Sequence, residues 1–222
     1  MSRKLLSRAA LAAGGLIWAS ATLLATSSAY ANLFELQLSE SGYSTQTMVG
    51  TTPLVSYTGT FGTFSANIIG GTSTTIPSID LTSSNVSLTA GTLTIELTET
   101  DLLSPAGLTQ WLTIFTGSWN APGSSAQLQS FVDLTDAPFG TGIPLGTLPA
   151  SSTPFSLADT AGANISTTPY SLTEIVTVTA GGYGQFSLDG MLQPVPEPAS
   201  LTLLGTALVG LGWLGRRRRR QV

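Results

Sequence analysis

The 222-residue sequence predicts an all-β fold: one antiparallel β-sandwich domain, or a flattened barrel of jelly-roll type, flanked by an N-terminal signal helix and a C-terminal transmembrane helix. Three observations carry that expectation. Apolar residues in the middle of the chain recur with a period of two, and no helical stripe is sustained there. Ser and Thr make up about three in ten of those residues, among abundant Val, Ile and aromatic side chains, which suits a pleated sheet better than disorder. Each end instead holds one continuous apolar run.

The strands follow in order. Phe34, Leu36 and Leu38 alternate with Glu35 and Gln37, so a first strand starts close to Asn32. Further alternations run through Val55, Tyr57 and Phe61, through Phe64, Ala66 and Ile68, through Val86 and Leu88, and through Leu93, Ile95 and Leu97. Leu128, Ser130 and Val132 continue the pattern, as do Leu172, Val176 and Val178, and then Phe186, Leu188 and Leu192. Gly70-Gly71, Ala90-Gly91, Pro122-Gly123 and Gly181-Gly182 supply turns between them. Spacing of this kind argues for roughly eight to ten strands in a single domain.

Two stretches break the pattern. Trp111, Leu112, Ile114, Phe115 and Trp119 crowd both faces of the segment 108–119, which reads as a central strand covered on two sides or as a short helix after Pro105. Both tryptophans are assigned to the core. From Pro138 to Pro154 the glycines and prolines spoil any ladder, so that segment reads as a long irregular connection.

The ends are delivery segments. Arg3, Lys4 and Arg8 form a basic n-region, Ala9 to Ala25 an apolar h-region, and Ala29-Tyr30-Ala31 the small-x-small pattern that signal peptidase cuts. Residues 1–31 are therefore a signal peptide, handed to the general export machinery, and 32–194 the exported domain. Residues 195–222 divide into a motif at 195–198, an apolar span at 199–215 and a basic tail at 216–222. At about 1.5 Å per helical residue the span reaches roughly 26 Å, slightly short of a hydrocarbon core of about 30 Å. Arg216, Arg217, Arg218, Arg219 and Arg220 form a stop signal that holds the C-terminus in the cytoplasm. Pro196 and Pro198 lack an N–H and stiffen the chain on either side of Glu197, leaving an unpaired, protease-accessible segment.

Val195, Pro196, Glu197 and Pro198, the apolar span and the arginine cluster at the chain end together resemble the PEP-CTERM sorting signal of Gram-negative exopolysaccharide producers. The resemblance implies an exosortase as processing partner, cleavage at or near Pro196-Glu197-Pro198, a transient membrane-anchored precursor, and a final place on the cell surface or outside the cell. It also implies an association with exopolysaccharide or biofilm. The middle looks like an uncharacterised group of such exported proteins, which share stretches like those at 57–64 and 137–142 and bring no known activity.

Charge narrows the chemistry. All eight basic residues lie in the two ends, and the chain has no histidine and no cysteine. The eleven carboxylates of the middle thus have no side-chain cation to pair with, so each is expected to be solvated, hydrogen-bonded or bound to a metal ion. Nucleic acid is excluded as a partner by the same imbalance. A Ser-His-Asp triad, a Cys-His dyad, an ordinary zinc site and a lysine Schiff base all need residues that this domain lacks. With no disulfide, stability rests on one hydrophobic core, which about 160 residues can supply.

The reading is therefore of a non-catalytic protein with no cofactor and no resident metal. Its alternatives are a carbohydrate-binding module using exposed Tyr43, Tyr170 or Tyr183, and a glycosidase pairing Glu96 with Glu99 or Asp101, or Asp133 with Asp136. Glu96, Glu99 and Asp101 are also a candidate calcium set, though no EF-hand loop is present. Asn85-Val86-Ser87 and Asn164-Ile165-Ser166 have the form of N-glycosylation acceptors, and Thr72 to Thr75 and Ser151 to Thr153 offer hydroxyls for O-linked sugar.

Overall fold

The computed structural model describes residues 33–50, 53–72 and 77–195, with the single position 207. The signal peptide, the motif residues Pro196, Glu197 and Pro198, the span at 199–215 and the arginine tail lie outside the described residues, apart from Ala207. Among the described residues no helix is long and apolar enough to cross a membrane.

Among the described residues twelve strands form two six-stranded antiparallel sheets. They are β1 (Phe34–Glu40), β2 (Gln46–Gly50), β3 (Leu54–Phe61), β4 (Phe64–Thr72), β5 (Ile79–Ser87), β6 (Gly91–Leu102), β7 (Gly107–Trp119), β8 (Ser125–Asp133), β9 (Ile143–Ala150), β10 (Phe155–Ile165), β11 (Tyr170–Ala180) and β12 (Gly184–Pro194). One sheet has the order β2-β1-β6-β11-β8-β9 and the other β10-β7-β12-β5-β4-β3. The sandwich expected from the period of two is what forms, with more strands than expected.

The additional strands are edge or near-edge elements with weak patterns. The segment expected to be an irregular connection contains β9, which pairs with β8 on one side only. Pro144 and Pro149 are tolerated there because an edge strand needs ladder hydrogen bonds on one flank alone. β2 and β10 also lie at edges, so their exposed faces carry little apolar signal. β7 is a strand throughout, with no helix after Pro105; it lies between β10 and β12 and buries Trp111 and Phe115 completely.

β5 faces the opposite way from expectation. Ile79 and Leu81 point inward, and strict pleating then carries Ser83, Asn85 and Ser87 onto the same inner face. Val86 falls on the other face and Leu88 is exposed beyond the strand end. Register decides this, since Ile79 and Leu81 are paired with Leu192 and Gly190.

The core lies between the sheets. Phe34, Leu36, Leu38, Leu93, Ile95, Leu97, Leu172 and Val176 of one sheet meet Phe64, Ile68, Ile79, Leu81, Phe115, Phe186, Leu188 and Leu192 of the other. Each such side chain contributes about 1.5–3 kcal/mol when fully buried. Packing is close enough that a Cβ added at Gly70 would come within 2.5 Å of Leu97 Cδ1.

Antiparallel pairing sorts the connections onto two ends. The loops at 41–45, 62–63, 88–90, 120–124, 151–154 and 181–183 share one end, called here the distal end. Leu33 and Val195 both emerge at the opposite end, the tail end, together with the loops at 103–106, 134–142 and 166–169.

Candidate functional site

An open cleft of about 470 Å³ lies at the distal end, lined by Trp119 to Ser124 and by Ser151 to Thr153. β7 delivers Trp119 to its mouth, where the ring packs against Phe155 at 5.5 Å and Phe186 at 6.1 Å between centroids. Trp119 is thus part core residue, as its sequence suggested, and part cleft wall.

Backbone bonds fix the cleft. The Trp119 N–H donates to Thr153 Oγ1 at 2.9 Å, tying the two walls together. Asn120 exchanges two bonds with Gln185, its N–H donating to the Gln185 carbonyl at 3.1 Å and its Oδ1 accepting the Gln185 N–H at 2.7 Å. Gly181 donates to Ser124 Oγ at 3.0 Å, which holds the 181–183 loop against the 120–124 loop. A side chain at 181 would strike the Pro122 carbonyl at 2.3 Å, so only glycine fits. Tyr183, 70% exposed, stands on that adjoining loop. The lining offers hydroxyls, amides and one indole, with no charged side chain.

At the tail end β12 runs to Pro194, and the Val195 N–H donates to the Gln110 carbonyl at 2.7 Å. There the sandwich stops. The family model for the PEP-CTERM protein-sorting motif matches residues 194–220, starting at this last residue of β12 and taking in Val195 to Pro198 and Arg216 to Arg220. The chain carries a PEP-CTERM sorting signal. The signal implies an exported protein with an exosortase as its processing partner.

No curated protein matches the PEP-CTERM chain by sequence. Among solved structures it is similar to TmCBM61 in complex with β-1,4-galactotriose, at 12% identity and TM-score 0.34, covering 62% of this chain and 92% of that one. It is also similar to the K1 cleaved adhesin domain of Lys-gingipain from Porphyromonas gingivalis, at 8% identity and TM-score 0.33, covering 65% and 99%. A third similar structure is TmCBM27, a carbohydrate-binding module described as recognising mannan, at 12% identity and TM-score 0.31, covering 72% and 89%.

Of the three tyrosines expected to be exposed in the PEP-CTERM protein, Tyr43 and Tyr183 are, both on distal loops rather than on a sheet face. Tyr170 is a correction. It is fully buried at the start of β11, and its hydroxyl donates to the Ser104 carbonyl at 2.7 Å. Burial, and then the Glu99 carboxyl, push its phenol well above the usual range. Extending the alternation of Leu172, Val176 and Val178 back by two residues would have put position 170 inside.

Of the acids paired in the sequence, Glu96 and Glu99 fall on opposite faces of β6, whereas Asp133 and Asp136 lie close together at the tail end. Glu96 lies half-buried on the outer face of β6, where burial raises its pKa, whereas Glu99 is fully buried. Asp101, at a φ of 63°, donates its N–H to Asp136 Oδ1 at 2.9 Å. Asp133 accepts the Thr135 N–H at 2.7 Å. Burial raises the Asp136 carboxyl, with the acids Asp101 and Asp133 adding to the shift against the lowering effect of the Asp101 N–H. Glu96, Glu99 and Asp101 do not converge, and among the described residues no three acids are placed to hold a metal ion.

Glu174 overturns the expectation that every acid is solvated, hydrogen-bonded or metal-bound. It sits on the inner face of β11 between Leu172 and Val176, fully buried, and neither carboxyl oxygen has a hydrogen-bond partner among the described residues. Its Oε2 lies 3.6 Å from where a Cβ on Gly190 would stand, so the absent side chain of β12 leaves it room. Burial pushes its pKa well above the carboxylate range, and Asp80 and Asp189 push in the same direction. Burial thus shifts the balance toward the neutral acid. The parity of Leu172, Val176 and Val178 already put position 174 inside.

The modification candidates also separate. Asn85 and Ser87 are both fully buried, so the sequon at 85–87 is hidden in the core, while Asn164 is exposed. Ser151 to Thr153 are exposed at the distal cleft. Ser73 to Thr75 lie outside the described residues.

Proposed function

We propose that the mature domain is a non-catalytic surface or matrix protein, sorted by an exosortase and associated with exopolysaccharide or biofilm through its distal loop end. The observation that carries this reading is the opposition of the two ends: the sorting signal starts where β12 leaves the sandwich, and the cleft opens on the far side. A domain delivered by its tail end presents its distal end outward. The cleft lining is uncharged, rich in hydroxyl and amide groups, and flanked by the exposed Tyr183 ring, which suits neutral sugars that combine hydroxyls with apolar ring faces. The absence of any cation from Asn32 to Pro194 favours a neutral polymer over an acidic one that would need cationic partners. The non-catalytic reading is supported by the placement of Glu96 and Glu99, which do not share one face of β6.

The test is sedimentation of the secreted protein with exopolysaccharide from the producing cells. Wild type is expected in the pellet. Tyr183→Ala, and Ser152→Trp to fill the cleft, are expected to lower the bound fraction several-fold without changing the melting temperature. Equal pelleting of all three proteins, or wild type left wholly in the supernatant, defeats the proposal.

A further inference from the structure

Three exposed apolar side chains lie at the end where the chain leaves the sandwich. Leu103 is 45% exposed in the loop joining β6 to β7, Leu108 is 75% exposed at the start of β7, and Val195 is 39% exposed after β12. The bond from Val195 to the Gln110 carbonyl places Val195 beside the first residues of β7, so it neighbours Leu108 across the sheet. Burial in the core does not account for any of the three.

The tether that follows is short. Only Pro196, Glu197 and Pro198 stand between Val195 and the apolar run from Ala199. Four Cα–Cα steps, fully extended at about 3.6 Å each, reach about 14 Å. The headgroup layer on one side of a bilayer is itself about 5–8 Å deep. Because Val195 is pinned to β7, this span is counted from the body of the sandwich.

We propose that in the anchored precursor the tail end of the sandwich rests on the outer surface of the membrane, with Leu103, Leu108 and Val195 entering the boundary between headgroups and acyl chains. The inference rests on reading 199–215 as a membrane span. A zwitterionic surface is the matching one, since the domain has no side-chain cation to offer and the acids Asp101 and Asp136 stand at the same end.

Contact of this kind lasts only as long as the tether. The three side chains hold about eleven carbons together, fewer than the single myristoyl chain whose membrane binding is already marginal and reversible. Cleavage within Pro196 to Pro198 therefore releases the domain from the membrane as well as from its anchor. An exosortase acting on the docked precursor therefore approaches from the side, at bilayer level.

The chain has no cysteine, which makes single-cysteine labelling clean. The full-length protein carrying Leu103→Cys, Leu108→Cys or, at the distal end, Ser152→Cys is labelled with an environment-sensitive dye and reconstituted into phosphatidylcholine vesicles containing a shallow spin-labelled lipid quencher. Dyes at 103 and 108 are expected to be quenched several-fold more than at 152. A 20-residue Gly-Ser insertion between Val195 and Pro196 is expected to bring position 108 down to the level of 152. Equal quenching at 108 and 152 in protein that resists carbonate extraction overturns the docking alone. Protein extracted by carbonate overturns the membrane-span reading and the docking with it. Quenching at 108 that survives the insertion overturns the tether as its cause, and quenching that requires a co-reconstituted exosortase overturns lipid as the occupant.

Discussion

Glu174 contributes a pH dependence to stability that favours the folded state in acid. Below its unfolded pKa, near 4.5, the carboxyl is protonated in both states and costs nothing to ionise. As pH rises past that value the unfolded chain releases the proton, while the folded chain retains it because burial holds its pKa well above 4.5. Stability then falls by about 1.4 kcal/mol per pH unit, until the folded pKa is reached and the loss levels off. The charged groups nearest across the sheet, Asp80 and Asp189, strengthen the effect. Thr82, whose hydroxyl donates to Asp189 Oδ1 at 2.9 Å, offers no positive charge to offset it.

Glu174→Gln removes the ionisation and keeps the shape. At pH 4.5 the two proteins should agree within about 1 kcal/mol, because either neutral group leaves polar atoms unsatisfied in the core. The variant should gain on wild type progressively at higher pH, by as much as about 3 kcal/mol two units higher if the folded pKa has not been reached by then. Urea unfolding of the secreted protein, followed by the fluorescence of buried Trp111 and half-buried Trp119 from pH 4.5 to 8, measures the difference. Parallel pH curves for the two proteins would refute the assignment of Glu174 as a buried neutral acid.

Two further outcomes are expected. Thr113 and Ser130 share a buried hydroxyl pair at 2.6 Å across the sandwich, so Thr113→Val or Ser130→Ala alone should cost about 1–3 kcal/mol by orphaning the partner, whereas the double variant should cost much less than the sum, as a double-mutant cycle in urea would show. Trypsin should leave the segment from Asn32 to Pro194 uncut even after denaturation, because it contains no lysine or arginine, and a tryptic peptide from inside it by mass spectrometry would contradict the sequence-level reading.

The strands richest in contrast were readable one by one. In β1 throughout, and in Phe64 to Ile68 of β4, Leu93 to Leu97 of β6 and Phe186 to Leu188 of β12, apolar and polar residues alternate, and each buries the face its pattern names. β9 was not readable, because prolines that would break a central strand are harmless at an edge, and edge position is a property of the assembled sheet. β5 was misread in parity, since Val86 and Leu88 form an apolar pair locally while Ile79 and Leu81 set the inward face through their partners on β12. The distal cleft had no signature either. Trp119, the 120–124 loop and Ser151 to Thr153 are brought together only when β7 and β10 pair.

By itself the sequence determined the all-β class, the sorting signal at 194–220 and the confinement of every cation to the two ends, because period, motif and composition are local properties of a chain. Tertiary structure alone decided that the tail and the cleft lie at opposite ends, that Tyr170 and Asn85 are hidden, and that both Glu174 oxygens stand without a hydrogen-bond partner among the described residues. The physical reason is that burial and proximity arise from pairing residues far apart in sequence, as when Gly190 of β12 makes the space that Glu174 of β11 occupies.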